Sequence, residues 1–180
     1  MPHTSIDTEA HWTKSGWHGW CYGWKLHIVA TVAAVWIPLA ADLTAANTAD
    51  NEVAPVLLRE LPAEVRFVTG DMHYDAPNLR ECCEQHDRIL VDTQRAPYPL
   101  TDDDVEVRRS FHELRSLAIE NFNELFKGIF DGHGQAPTKG LINTRRSALG
   151  AIFLYQLALL YRFKHGLTLC VGLKAFLKAA

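Results

Sequence analysis

Three patterns in the chain predict an α/β fold, a mixed sheet in which an antiparallel hairpin is joined to parallel strands and flanked by helices. Tyr22 to Thr31 alternates Trp24, Leu26 and Ile28 against Lys25 and His27, and a second apolar run, about Val35 to Leu43, follows it closely. Val65 to Thr69 and Arg88 to Val91 are short apolar runs separated by a helix-length segment, which predicts a parallel crossover. Beyond residue 100 the apolar spacing becomes helical.

Each element has a local reason. Met1 to Gly19 is polar and does not read as a strand, although it contains Trp12 and Trp17. The two-residue period of Tyr22 to Thr31 is that of a half-buried strand, and Val35 to Leu43 pairs with it as a hairpin. Pro38 lacks a donor, so that second strand belongs at an edge, or Pro38 faces away from its neighbour. A helix is expected over about Glu52 to Leu61, with Asp50 or Asn51 as N-cap. After the strand Val65 to Thr69, Gly70 and Asp71 end the run. Asp75 is placed to cap the next helix, Pro77 suits its first turn, and Leu79 to His86 continues it. Ala96 to Leu100, with two prolines, reads as a loop, and Asp102-Asp103-Asp104 as a solvated acidic helix start rather than a metal site.

A long helix over about Val105 to Phe130 puts Val107, Phe111, Leu114, Ala118, Phe122 and Leu125 on one stripe. Asp131 to Gly134 and Pro137 break it. Another runs from about Ser147 to Phe163, and its apolar part, Ala148 to Tyr161, is shorter than the roughly 20 residues that span a bilayer. It is expected to be a buried core helix, followed by a short amphipathic helix or a loose tail over Leu167 to Ala180.

At 180 residues and 48% hydrophobic the chain can bury one sizeable core and suits a single domain. All 21 acidic residues lie at or before Asp131, and residues 132 to 180 carry seven lysines and arginines, a surface for phosphate or simply a cationic face. Cys21, Cys82, Cys83 and Cys170 have no metal-ligand spacing and read as buried reduced thiols. Nine histidines without an HExxH arrangement argue against a zinc hydrolase, and no Gly-x-Ser-x-Gly or P-loop occurs. No secretion signal opens the chain, so a cytoplasmic location is expected.

The residues with the most chemical content are Asp71, at the carboxyl end of a strand where ligands gather in open α/β sheets, and Glu120 with Lys127, two turns apart on one helix face. Each alone has a bland reading: Gly70-Asp71 as turn chemistry, and Glu120, Glu124 and Lys127 as a salt-bridged exposed face. His73 is expected to pack or hydrogen-bond beside the strand end.

Taken together, these residues resemble the DDE transposases of bacterial insertion sequences. The likeness rests on Trp20-Cys21-Tyr22-Gly23-Trp24-Lys25-Leu26-His27, Ile37-Pro38-Leu39 through Thr44-Ala45-Ala46-Asn47, Val68-Thr69-Gly70-Asp71-Met72-His73-Tyr74-Asp75, and Ile119-Glu120-Asn121-Phe122 with Lys127. It covers roughly residues 12 to 165. The resemblance implies a ribonuclease-H-like catalytic domain whose acids bind two Mg²⁺ or Mn²⁺ ions and cleave and join DNA at transposon ends.

It assigns Asp71 and Glu120 as catalytic metal ligands and Lys127 and Arg115 as DNA contacts, to which the basic stretch after the helix break adds Arg145 and Arg146 as candidates. It leaves homo-oligomerisation open and gives the membrane no role. Glu113 and Ser116 stand where the fullest motif has a tyrosine and an arginine, and Arg115 lies one place out of register.

The first acid of the family should sit on a strand before Tyr22. Asp7 is the only aspartate there, and it reads as a surface-loop residue, so the chain is expected to be N-terminally truncated and impaired as an enzyme. The expected organisation is an irregular segment over 1–21, a partial catalytic domain over 22–131 with its first strand missing, and a basic helical extension over 132–180. The alternatives are a non-catalytic DNA-binding remnant, and a metal-dependent small-molecule hydrolase with a closed pocket at Asp71.

Overall fold

The computed structural model describes residues 6–16, 19–32, 35–91, 101–130, 136–169 and 173–179; within its helices the side chains at 72, 104, 117, 119–121 and 178–179 lie outside the description. Expectations for the 92–100 loop, the 131–135 helix break and Cys170 fall outside the described residues. The chain forms two compact units, one of Met1–Ile28, Ala41–Ala49 and Phe126–Ala180, the other of Val29–Ala40 and Asp50–Leu125.

A three-stranded antiparallel sheet is built from β1 (His11–Ser15), β2 (Gly19–Ala30) and β3 (Pro38–Ala45), with β2 in the middle. The expected hairpin is present. Strand β1 corrects the reading of the first nineteen residues: it pairs with β2 from His11↔Gly23 to Ser15↔Gly19. The segment has no apolar run because it buries little. Trp12 faces Tyr22 across the ladder with ring centroids 5.1 Å apart, and such a cross-strand aromatic pair supports a strand that has no core face. Gly19 takes φ +69°, a left-handed conformation that suits glycine at the turn into β2.

Strand β3 is an edge, and Pro38 is its first residue, where a missing donor costs nothing. The loop into it lacks a turn dipeptide because Thr31 closes it. The Thr31 main chain donates to the Ile37 carbonyl at 3.0 Å, and the Thr31 hydroxyl accepts from the Ile37 N–H at 2.9 Å.

The second unit carries α1 (Asp50–Arg59), β4 (Phe67–Thr69), a 3₁₀ turn (Met72–Tyr74), α2 (Pro77–Glu84), β5 (Ile89–Val91) and most of α3 (Asp102–Phe130). Strands β4 and β5 are parallel, with Phe67↔Ile89 and Thr69↔Val91, as the strand, helix, strand pattern predicts, but among the described residues they form a two-stranded sheet of their own instead of joining the hairpin in the one mixed sheet expected. Its core gathers Leu58, Leu61, Leu79, Cys82 and Cys83, with Val68, Tyr74 and Leu90 packed against them. Burial pushes the Cys83 thiol up, with the charge on Cys82 adding to the shift, so it stays protonated and inert.

Two polar devices hold α1 in this unit. Pro55 has no N–H for the carbonyl four residues back, and that carbonyl, of Asn51, instead accepts from Asn78 Nδ2 at 3.2 Å. Buried Arg88 closes the other end: its guanidinium donates to the carbonyls of Leu58, Leu61 (2.8 Å) and Pro62 (3.4 Å), a cation where a helix presents its unpaired acceptors.

Pro77 opens α2 as expected, but Asp75 does not cap it. The N-cap is Ala76, with no side-chain bond, and Asp75 instead accepts from Arg80, whose Nε lies at 3.0 Å. Helix α3 starts at the acidic run as predicted. Of its expected stripe, Ala118 and Phe122 are buried and Val107 and Leu114 are exposed, while Phe126, off that stripe, is buried as well.

In the first unit, α4 (Leu141–Lys164) and α5 (Leu173–Ala179) follow. Phe126 meets Tyr155 at 6.3 Å and Tyr161 stacks on Phe176 at 5.5 Å, around fully buried Tyr155 and Leu173. Helix α4 is not the buried core helix expected. Ile152, Tyr155, Ala158 and Leu159 face inward, while Phe153, Leu157, Leu160 and Phe163 are exposed. No helix among the described residues is long and apolar enough to cross a membrane.

Candidate metal and DNA site

Strand β4 extends one residue beyond its last paired position, since the Gly70 N–H reaches the Val91 carbonyl at 3.4 Å. A Cβ on Gly70 would come within 2.8 Å of the Tyr74 Cβ, so only glycine lets the chain fold back this closely. Asp71 follows at once. Its carbonyl accepts from the Tyr74 N–H at 3.0 Å, which winds Met72–Tyr74 into the 3₁₀ turn.

The Asp71 carboxylate is 43% exposed, and both of its contacts involve His73. The His73 main-chain N–H donates to Oδ1 at 2.9 Å, and the ring Nδ1 lies 3.3 Å from the same oxygen. Among the described residues Oδ2 accepts nothing. The expectation that His73 hydrogen-bonds beside the strand end is met, and its partner is the candidate ligand itself.

Tyr74 ties this turn to two other elements. Burial, and behind it the negative charges of Asp50 and Asp71, push its phenol up to about 12, against the opposing pull of Arg115. Asp50 opens α1 and Arg115 lies on α3, so both helices bring charge to the turn. Ring contact repeats the proximity of α3: Phe67 of β4 and Phe111 of α3 have centroids 5.2 Å apart.

Sequence reasoning missed Asp50 and Tyr74 as members of this group. Asp50 looked like a helix start and Tyr74 like filler, and no spacing distinguishes either from those roles.

Glu120 lies on α3 five residues beyond Arg115, with its backbone between buried Ala118 and Phe122, and its side chain lies outside the description. Lys127 is exposed two turns further on. Arg115 is half-buried, its Nη2 is 3.4 Å from His112 Nε2, and its buried Nε has no hydrogen-bond partner among the described residues. Arg145 and Arg146 belong to the other unit, on the first turns of α4. Arg146 is exposed, and Arg145 Nε pairs with Asp42 Oδ1 at 2.7 Å.

Asp7, weighed as a substitute first acid, has a structural partner. Its Oδ2 accepts from the Gly140 N–H at 2.7 Å while Glu9 Oε2 accepts from the Leu141 N–H at 3.0 Å, so the pair caps the start of α4.

A hard divalent cation suits the carboxylate of Asp71, whose Oδ2 has no hydrogen-bond donor among the described residues. No three His, Cys, Asp or Glu side chains gather into a metal site among the described residues, and the Glu120 side chain lies outside them. No curated protein and no solved structure matches the chain. The family model for the transposase DDE domain matches residues 1–115, a span that contains β1 to β5, Asp71 and Arg115 and ends before Glu120. With well over half of its length matched, and with an exposed aspartate at the strand end of the matched region, the chain belongs to the transposase DDE domain family.

Proposed function

We propose that this chain takes part in DNA transposition as a ribonuclease-H-like transposase domain of the insertion-sequence type, with Asp71 and Glu120 holding divalent cations against the scissile phosphodiester. The observation that carries the reading is the Asp71 turn: a carboxylate at the end of a parallel strand, with one oxygen fixed by His73, the other free, and α3 close by through Phe111 and Arg115. Mg²⁺ or Mn²⁺, when bound, supplies Lewis-acid stabilisation of the attacking and leaving oxygens.

The chain's own residues bind and orient. Asp71 presents Oδ2 as a hard donor, and Glu120 completes the coordination from α3. Arg115 in the second unit, and Lys127, Arg145 and Arg146 in the first, would each contact DNA phosphate.

Two assigned carboxylates neutralise and orient a pair of divalent ions less well than three. Asp7, which caps α4, does not supply the third. Strand cleavage by this chain alone is therefore expected to be weak or absent, and the assay must read binding as well as nicking. Supercoiled DNA incubated with the chain and Mg²⁺ or Mn²⁺ should show metal-stimulated binding and at most slow nicking. Any nicking should be lost in Asp71→Asn and in Glu120→Gln. Nicking that persists unchanged in Glu120→Gln removes that residue from the site.

A second reading, a DNA-binding remnant without strand chemistry, draws on the run of seven cations and no acid over residues 132 to 180. Salt-dependent DNA binding that is indifferent to Mg²⁺ and Mn²⁺ would favour it.

A further inference from the structure

His73 is the one side chain in contact with the candidate ligand Asp71 among the described residues, and strand chemistry leaves it without a task. Its ring is 80% exposed. Nothing packs it into place, yet its main chain is fixed by the 3₁₀ turn, by the N–H bond to Asp71 Oδ1 and by the close approach of Tyr74 to Gly70. The turn thus carries an oxygen donor and a nitrogen donor two residues apart, 3.3 Å between the nearest atoms, on side chains that are 43% and 80% exposed.

We propose that Asp71 and His73 form a nitrogen–oxygen chelate that makes this site favour Mn²⁺ over Mg²⁺. The inference rests on the reading of Asp71 as a cation ligand and goes beyond it by assigning His73 and choosing between the ions. Imidazole nitrogen suits first-row transition metals, whereas Mg²⁺ prefers oxygen and keeps its water. An exposed ring can turn from the Asp71 oxygen towards a bound ion without breaking packing. Because the two donors sit on one short turn, little chain entropy is lost in bringing them together.

The test measures Mn²⁺ binding to the full chain by the loss of the free-ion electron paramagnetic resonance signal, at a fixed pH where imidazole is neutral, with Mg²⁺ as competitor. The wild-type chain should bind Mn²⁺ more tightly than Mg²⁺. His73→Ala should weaken Mn²⁺ by about tenfold or more and leave Mg²⁺ nearly unchanged.

His73→Asn separates ligation from positioning, because its amide can still bond Asp71 but is a poor donor to Mn²⁺. It should resemble the alanine variant. Full rescue by asparagine, or equal weakening of both ions, would make His73 a positioning residue and overturn the chelate. Unchanged Mn²⁺ affinity in His73→Ala, with affinity lost in Asp71→Asn, would overturn it too and leave the Asp71 site standing. Unchanged binding of both ions in Asp71→Asn would instead sink the underlying site.

Discussion

Asp7 and Asp71 are both aspartates lying just outside the helices and strands, yet their surroundings give them opposite uses. The Asp7 carboxylate accepts from the Gly140 N–H and, through its other oxygen, from the Glu9 N–H at 3.3 Å, so both oxygens are engaged. Asp71 directs one oxygen into its own turn and leaves the other to solvent. Residue type does not decide whether an acid is structural. What decides it is how many donors the fold aims at the carboxylate, and for Asp7 the donor lies 133 residues away.

The largest expected contrast between the two is in cation binding. Asp71→Asn should abolish Mn²⁺ and Mg²⁺ binding with little change in thermal stability, because an exposed carboxylate bonded only to its own turn contributes little to the fold. Gly70→Ala should come next. Its Cβ would meet the Tyr74 Cβ, so we expect a loss of about 1–3 kcal/mol in denaturant melts, together with weaker cation binding as the turn shifts. An unchanged cation affinity in that variant would show that the turn does not set the site.

Asp7→Ala should give the converse of Asp71→Asn: about 1 kcal/mol lost from stability, as for removal of a helix cap, and cation binding untouched. A loss of cation binding in Asp7→Ala would collapse the distinction between the two acids. Tyr74→Phe sharpens it through pH. The folded-state phenol titrates at about 12 against 10.0 for the ordinary group, so its contribution is complete below pH 10 and is lost as pH rises towards 12. The phenylalanine variant should lack that part of the alkaline decline, which stability measurements across pH 9 to 12 would read. Smallest of all, Lys127→Ala should reduce the salt slope of DNA binding by about one, with no effect on cation affinity.

How much of this was legible in the sequence follows from where each interaction partner lies. The hairpin, the strand, helix, strand unit and the acidic start of α3 are written in local periodicity, and they are present with shifted ends. Strand β1 was not legible, because its stability comes from pairing with β2 and from the Trp12–Tyr22 contact rather than from its own pattern. Helix α4 begins at Leu141 because Asp7 and Glu9 reach it, and no local cap marks the spot.

Its exposed Phe153, Leu157 and Phe163 defeat the rule that an apolar helix is a buried one. Asp71 could be singled out as a strand-end acid. The fixing of its carboxylate by His73 is set by the local turn that follows, whereas the approach of Asp50 and Arg115 to Tyr74 depends on how α1 and α3 pack around it.

The account stands on Asp71 and Glu120 sharing a cation, and anomalous diffraction from crystals of the chain soaked in Mn²⁺ tests this most directly. It predicts a manganese position in contact with carboxylate oxygens of both residues, and manganese bound by Asp71 with Glu120 turned elsewhere would contradict it.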